Sequence, residues 1–240
     1  QSPTRDEAGF SMAKWDYKHR AMVTGLYHSK PHDGTAWEIF YPAGPFALLP
    51  LLDDEEGRHR SALVWTVAEK DAAGVIAMND AMFVNEVSER MHGVLGKIEL
   101  AAPRMSYPLR FHHAAKVIDE RLAVIGDAAH GMHPIAGQGL NLGLRDVGAL
   151  VEVLTEGMRL GLEPGDAQLL ARYEKWRSLD SFMVMSVTDG LTRLFGVPGK
   201  LPSAMRRLGM GAVQRMPTLK RFFMDEARGM SGKLPELLQG

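Results

Sequence analysis

The sequence predicts an α+β fold: an antiparallel sheet, then a strand–turn–helix unit of α/β type, then a helical C-terminal region. Three observations predict it. Between residues 19 and 67, four short runs rich in aromatic and branched residues alternate with turn-forming segments. Residues 121–154, "RLAVIGDAAHGMHPIAGQGLNLGLRDVGALVEVL", open as a short apolar strand, cross a series of closely spaced glycines and end as an amphipathic helix. After residue 139 the periodicity is mostly helical.

The four runs are "HRAMVTGLYH", "TAWEIFYP", "PFALLPLL" and "RSALVWTV", separated by "SKPHDG", "AG" and "DDEEGRH". They read as a β meander, with Pro42, Pro45 and Pro50 marking edges, bends or bulges because proline has no N–H to give a sheet. The Lys/Arg residues of this region, Arg20, Lys30, Arg58 and Arg60, fall at run ends or in turns. Phe83, Val87, Met91 and Leu95 recur every four residues and predict a helix near 80–95. Residues 105–118, "MSYPLRFHHAAKVI", read as extended.

Leu122, Ala123, Val124 and Ile125 then form a continuous apolar run closed by Gly126 and Asp127, which suits a strand covered on both faces in a parallel sheet. No βαβ unit lies upstream to supply its partners, so an N-terminal nucleotide-binding half is expected to precede this segment. Leu140, Leu144, Val147, Val151, Leu154 and Met158, at spacings of four and three, form one stripe of a helix. The stretch 166–195 carries apolar positions all round, as a buried helix does. Residues 196–202 are rich in breakers, and "PSAMRRLGMGAVQRM" and "PTLKRFFMDEARGM" each place proline in a first helical turn. The expected domains are 1–118, a substrate-binding sheet with one helix; 119–160, the C-terminal part of a cofactor-binding domain; and 161–240, helical.

The 240 residues are 45% hydrophobic and 24% charged, within the ordinary range of globular proteins. The absence of cysteine excludes disulfides, thiol catalysis and thiolate-held metals. No apolar run reaches the roughly 18 residues of a membrane span, and no signal-peptide pattern is present. The expected location is cytoplasmic, with peripheral contact to the inner membrane. Net charge is −1 but uneven: from Thr192 onward nine Lys/Arg face three Asp/Glu, a net +6. Such a basic region suits an anionic membrane surface, an acidic partner or plain solvation. No basic platform interleaved with aromatics is present, so nucleic acid is not an expected partner.

The glycine junction carries the chemistry. Ligands of α/β folds bind beyond the carboxyl ends of strands, and a helix N-terminus offers free N–H groups and positive dipole potential. Gly137 and Gly139, lacking Cβ, let a flat or anionic ligand approach the backbone. Two readings fit: a cofactor-binding turn, or a tight turn packed closely for structure alone. The spacing is G-x-G-x-x-x-G, not the G-x-G-x-x-G of dinucleotide-binding turns. His130 and His133 sit at i, i+3 but have no cysteine and no nearby third ligand, so no metal site is expected. "GVPGKL" at 196–201 lacks the spacing and the Ser/Thr of a phosphate-binding P-loop.

Residues 121–150 resemble the second FAD motif of group A flavoprotein monooxygenases of the para-hydroxybenzoate hydroxylase type. "TAWEIFYPAGPFALLPL", "SALVWTV", "YPLRF", "RYEKWR", "TDGLTRLF" and "GMSGKLPELLQG" are similar to one branch, the ubiquinone-biosynthesis hydroxylases of the 2-polyprenylphenol hydroxylase type. The resemblance implies an FAD-dependent enzyme that takes electrons from NAD(P)H, forms a flavin hydroperoxide and hydroxylates a polyprenylated phenol. It implies a cofactor site formed by Gly126, Asp127, Ala128, His130, Pro134, Gly137, Gln138, Gly139, Leu140 and Asn141. In that site Asp127 accepts hydrogen bonds from the ribityl chain or lies near the pyrophosphate, and 137–141 pass the pyrimidine edge of the flavin. Pro134 stiffens the wall beside the ring, while His130 fits either a site-lining or a locally bonded structural role.

No catalytic side-chain array is expected, because the cofactor performs the difficult step. Trp37, Phe40, Phe46 and Trp65 are candidates to line the substrate pocket, against an ordinary role as core aromatics. Met205, Met210, Met216, Met224 and Met230 fit a hydrocarbon tail or membrane contact, against ordinary helix packing. The family also has an N-terminal dinucleotide-binding unit and an Asp-Gly motif near a Ser-x-x-Arg segment. Ser2 and Arg5 resemble that segment; the other two elements do not occur in these residues, so the chain alone is expected to carry no FAD. Expected partners are the prenylated phenol, and a membrane surface or other ubiquinone-biosynthesis proteins. The alternative is a non-catalytic lipid- or partner-binding module that kept the fold.

Overall fold

The computed structural model describes residues 2–132, 137–196, 215–218, 221 and 234–239. The chain divides into two compact units, Asp16–Leu109 and Gln1–Trp15 with Arg110–Gly240. The sheet domain expected over 1–118 thus corresponds to a unit that starts at Asp16 and ends at Leu109. Every strand pair whose register is described is antiparallel, and among the described residues five α-helices accompany the strands, which is the α+β class expected.

In Asp16–Leu109 the strands are β1 (Met12–His28, which begins in the other unit), β2 (Trp37–Tyr41), β3 (Gly44–Leu51), β4 (His59–Ala68), β5 (Ile98–Leu100) and the start of β6 (Met105–Ala114). β2, β3 and β4 form a meander, but β1 pairs with β4 rather than β2, so the first connection crosses over. The prolines of β3 sit where the ladder tolerates them. Pro45 lies where only β2 pairs, and Pro50 where only β4 pairs, so each faces one neighbour instead of two. β1 extends seven residues further toward the N-terminus than the apolar run, because Lys14 and Asp16 are polar yet lie in the strand, with Lys18 left-handed (φ 56°) within it. Arg20 therefore lies inside a strand, contrary to the expectation that it ends one, and its guanidinium donates to Ser106 Oγ (2.8 Å) and the Ser106 carbonyl (3.1 Å).

The helix expected near 80–95 is α3 (Asp80–Arg90), preceded by α2 (Glu69–Ala77). Asn79 caps α3 by accepting the Met82 N–H at 2.9 Å. Left-handed His92 and Gly93 end the region early, although Met91 and Leu95 still reach the core with Phe83 and Val87. α2 escaped the sequence reading because Ala68, at its N-cap, makes no side-chain cap, so no start signal marks it. The core packs the apolar faces of β1, β3 and β4 against both helices around Met22, Leu63, Trp65 and Phe83. Phe46 and Trp65 are core members, with rings 6.0 Å apart and Trp65 5.8 Å from Phe83; Trp37 packs on the same core, and Phe40 is half-buried. Phe46 and Trp65 point inward and build the interior.

In the other unit, α1 (Pro3–Glu7) precedes the end of β6, then β7 (Ile118–Asp119), β8 (Leu122–Ala123), a 3₁₀ turn (Gly126–Ala128), β9 (His130–Gly131), α4 (Gln138–Arg159) and α5 (Ala167–Gly196). The apolar run 122–125 is not a parallel strand here. Its first two residues pair antiparallel with β7 in a hairpin turned through left-handed Arg121, which gives those backbone groups a local partner. α4 carries the expected apolar stripe. Its apolar stripe is the outer one, with Leu140, Leu144, Val147, Val151 and Met158 all exposed. The inward face is Leu142, Asp146, Ala149, Val153 and Gly157, where small residues and a paired charge allow close approach: a Cβ at Gly157 would lie 2.3 Å from Leu169 of α5. Of the C-terminal methionines only Met216 is described, and it is exposed; Met205, Met210, Met224 and Met230 lie outside the described residues.

Phe83 is fully buried against Trp65, so Phe83→Ala removes a ring and leaves a cavity. The expected loss is about 3–5 kcal/mol. Denaturant unfolding with an unchanged m-value checks it, and a loss below about 1 kcal/mol refutes this packing.

Candidate functional site

The glycine junction lies wholly within the second unit. Gly126 adopts a left-handed conformation (φ 56°) that opens the 3₁₀ turn, and the turn closes on itself through the Ala129 N–H to the Gly126 carbonyl (2.8 Å). Ala129 then accepts the Ala114 N–H from β6 at 2.7 Å, and His130–Gly131 pair with His112–His113. Gly131 is required there, since a Cβ would lie 2.2 Å from the His112 ring. That ring donates through Nε2 to the Asp127 carbonyl at 2.7 Å. Arg5, 5% exposed, donates to the Ala128 carbonyl at 3.1 Å. Backbone groups of the turn are thus fixed from two directions, while the Asp127 side chain is exposed and forms no hydrogen bond or ion pair among the described residues.

Across from Asp127 stands the start of α4. Gly137 is its N-cap, left-handed (φ 63°) and without a side chain to satisfy the free N–H groups of the first turn. A Cβ built on Gly137 or Gly139 would meet nothing within 4 Å, so both positions border open space. Gly126, Asp127, Met132, Gly137, Gly139, Leu140 and Gly143 line a cleft of about 520 Å³. It offers one carboxylate as acceptor, a helix N-terminus as donor and a wall stripped of Cβ atoms. That set fits a large ligand with a flat ring, hydroxyls and anionic groups.

Beneath the cleft lies a buried charge network. Asp146, 1% exposed, accepts the Gly126 N–H (2.9 Å) and His130 Nε2–H (2.6 Å) on one oxygen and Arg177 Nε–H (2.8 Å) on the other. Arg177 also donates to Asp180, which receives Arg145 Nη1 at 2.9 and 3.1 Å. Burial pushes the Asp146 carboxyl up, but the hydrogen bonds and charges of His130 and Arg177 more than reverse this and hold it below the usual range. Burial, then the Asp146 charge, raise the Tyr173 phenol far above its usual value, so it stays neutral. Burial, with the neighbouring His130 and His112, lowers His113.

The FAD binding domain family matches residues 1–186. The chain belongs to that family. Ubiquinone hydroxylase UbiL of Rhodospirillum rubrum is 43% identical over 243 residues, spanning 100% of this chain and 56% of that protein. The 3-demethoxyubiquinol 3-hydroxylase of Escherichia coli is 34% identical over 233 residues, 95% of this chain and 57% of that protein. The chain therefore spans about half the length of these relatives. The crystal structure of p-nitrophenol 4-monooxygenase PnpA from Pseudomonas putida shares the fold, with TM-score 0.73, 18% identity, and coverage of 97% of this chain and 57% of that one.

For a member of the FAD binding domain family the geometry sorts the expected residues. Gly126, Asp127, Gly137, Gly139 and Leu140 converge on the cleft. Asn141 lies one residue further along the helix, its Nδ2 donating to Gln138 Oε1 at 3.4 Å, while Gln138 itself is buried. Ala128 contributes a carbonyl already taken by Arg5. His130 is buried and bonded to Asp146, which is the structural role. Pro134 lies outside the described residues. Asp146, Arg177 and His112 escaped the sequence reading. Only Asp146 carried a local signal, a carboxylate breaking an otherwise apolar helix face.

The folded value of Asp146 lies below its unfolded one, so its stabilisation is present above about pH 4 and lost as pH falls through the folded value. The stability difference between the wild type and Asp146→Asn should hold from about pH 7 to about pH 5 and shrink toward about pH 3. Unfolding measured across that range checks it, and a difference that grows in acid refutes it.

Proposed function

We propose that these residues belong to an FAD- and NAD(P)H-dependent monooxygenase that hydroxylates a polyprenylated phenol in ubiquinone biosynthesis. The observation that carries the flavin part is the facing pair of a carboxylate unengaged among the described residues and a helix N-terminus whose N-cap, Gly137, has no side chain, across a glycine-walled cleft. The aromatic-ring part rests on relatives 43% and 34% identical whose names are ubiquinone hydroxylase and 3-demethoxyubiquinol 3-hydroxylase. Bound FAD would supply the redox chemistry that inserts one oxygen atom of O₂ into the ring, with the nicotinamide nucleotide as electron source.

The chain's own residues bind and tune. The Asp127 carboxylate accepts hydrogen bonds from the cofactor's hydroxyls. The N–H groups at Gly139, Leu140 and Asn141 would stabilise negative charge on a bound cofactor, by a fraction of a kcal/mol to roughly 2 kcal/mol. Gly137 and Gly139 leave room for a flat ring to lie against backbone, and Met132 and Leu140 add apolar wall.

A hydrocarbon-tailed phenol suits what the sheet unit offers. A small anionic substrate is usually met by a positioned arginine. Arg20 is engaged by Ser106, Arg58 by Asp54 and Tyr27, and Arg60 by the Leu52 carbonyl. No described helix is long and apolar enough to cross a membrane, so a lipid substrate would be reached from the bilayer surface, where the basic C-terminal region suits anionic headgroups.

In the full-length gene product, Asp127→Ala should weaken FAD binding about ten- to hundred-fold, the value of a roughly 1.5–3 kcal/mol charged hydrogen bond, without altering the fold. Flavin fluorescence titration checks this, and an unchanged Kd removes Asp127 from the site. Deleting the gene in its host should deplete ubiquinone and accumulate a prenylphenol. Normal ubiquinone with no such accumulation, in a host without a redundant hydroxylase, refutes the assigned substrate.

A further inference from the structure

We propose that Asp146 is a positioning residue for the cofactor cradle: it clasps the Gly126–Ala128 turn to α4 and so sets the separation between the Asp127 carboxylate and the helix N-terminus. The inference rests on the flavin reading of that cleft. The two halves of the cradle lie on different segments. One is the turn carrying Asp127, the other is the start of α4 at Gly137–Asn141. Asp146 sits eight residues into α4, roughly 12 Å along its axis, on the face turned toward the turn. Its carboxylate accepts the N–H of Gly126, and Gly126 is bonded directly to Asp127. A shift of that peptide therefore shifts Asp127.

The clasp has a stop and a brace. The stop is Gly143, one turn before Asp146: a Cβ there would already lie 3.5 Å from the Gly126 Cα, so helix and turn are near contact. The brace is Arg177 from α5, whose Nε–H holds the second carboxylate oxygen at 2.8 Å and prevents the group from rotating off Gly126. His130, two residues beyond the turn, donates to the same oxygen as Gly126 and ties the far end of the segment to the same point. A purely stabilising ion pair would need only Arg177. The convergence of Gly126 and His130 on one oxygen is what assigns a positioning role.

The chemistry of the carboxylate supplies the test. In Asp146→Asn the amide oxygen can replace the atom that serves Gly126 and His130, but the NH₂ then meets the Arg177 Nε–H, donor against donor. Removing that clash with Arg177→Met should restore the clasp. Asp146→Ala cannot be restored this way.

Hydrogen exchange of residues 122–132 in this chain, at a temperature where each variant is folded, reads the clasp without any flavin. Titration of the full-length gene product with FAD reads its consequence. Asp146→Ala and Asp146→Ala with Arg177→Met should each speed exchange in 122–132 at least ten-fold and weaken FAD binding about ten-fold. Asp146→Asn with Arg177→Met should return both to within about three-fold of wild type. Exchange over the sheet unit should be unchanged in every variant.

Equal loss in all variants, or exchange that rises uniformly through the chain, would reduce Asp146 to general stability and overturn the proposal. Unchanged exchange in Asp146→Ala would overturn it as well. If the wild-type gene product binds no flavin, the flavin reading fails, and the exchange measurements still judge the clasp.

Discussion

A carboxylate with 1% of its surface exposed stays charged only if nearly every lone pair is occupied, and Asp146 meets that demand with donors from three different segments. Gly126 comes from the turn, His130 from β9 and Arg177 from α5. Each donor is itself held elsewhere: Arg177 by Asp180, and His130 by pairing of β9 with β6. Taking away one partner of such a pair leaves an uncompensated buried charge, typically at about 3–5 kcal/mol, a large part of a domain's stability. The cluster's value is better seen in geometry than in net energy, because burying charges costs several kcal/mol before any pairing begins. What the arrangement secures is one relative placement of turn and helix.

The same helix shows how absent side chains set distances. Along α4, Gly143 meets the turn, Gly148 would place a Cβ 2.9 Å from Pro235, and Gly157 one 2.3 Å from Leu169. At Gly148 and Gly157 α4 can approach its neighbours only as glycine permits, while a Cβ at Gly143 would just touch the Gly126 Cα at 3.5 Å. The residues after Pro235 are pinned in the same way, with the Glu236 N–H donating to Glu152 at 2.8 Å. Glycine usually costs a helix about 1 kcal/mol, so Gly148 and Gly157, where a Cβ would not fit, mark packing that requires them.

Much of the fold was legible because burial leaves periodic traces. The four strand runs and the Phe83–Val87–Met91 spacing appear in the structure close to where alternation and four-residue recurrence placed them. What periodicity could not show was direction and pairing. In α4 it found the apolar stripe correctly, but the face turned inward is the one carrying Asp146 and glycines, whose packing signal is smallness and not hydrophobicity. The run 122–125 looked like a parallel strand because apolar composition does not reveal which backbone will pair with it. The Asp146–Arg177 contact joins residues 31 apart in sequence, and no local pattern announces such a pair.

The site was legible for a different reason: its parts are mainly backbone. The proposed cradle offers donors at a helix start, room against the chain and one carboxylate, and all three are written as glycines around a single aspartate. Side chains that looked chemical on paper divide accordingly. His130 is consumed by Asp146 beneath the cleft, while Asp127 three residues earlier is exposed and unengaged. When a cofactor performs the hard step, the protein's share is placement, and here placement is made by groups that are bonded to one another and hidden. The residues that matter most to such a site are therefore those furthest from the appearance of catalysis, and Asp146, buried behind the turn it holds, is one of them.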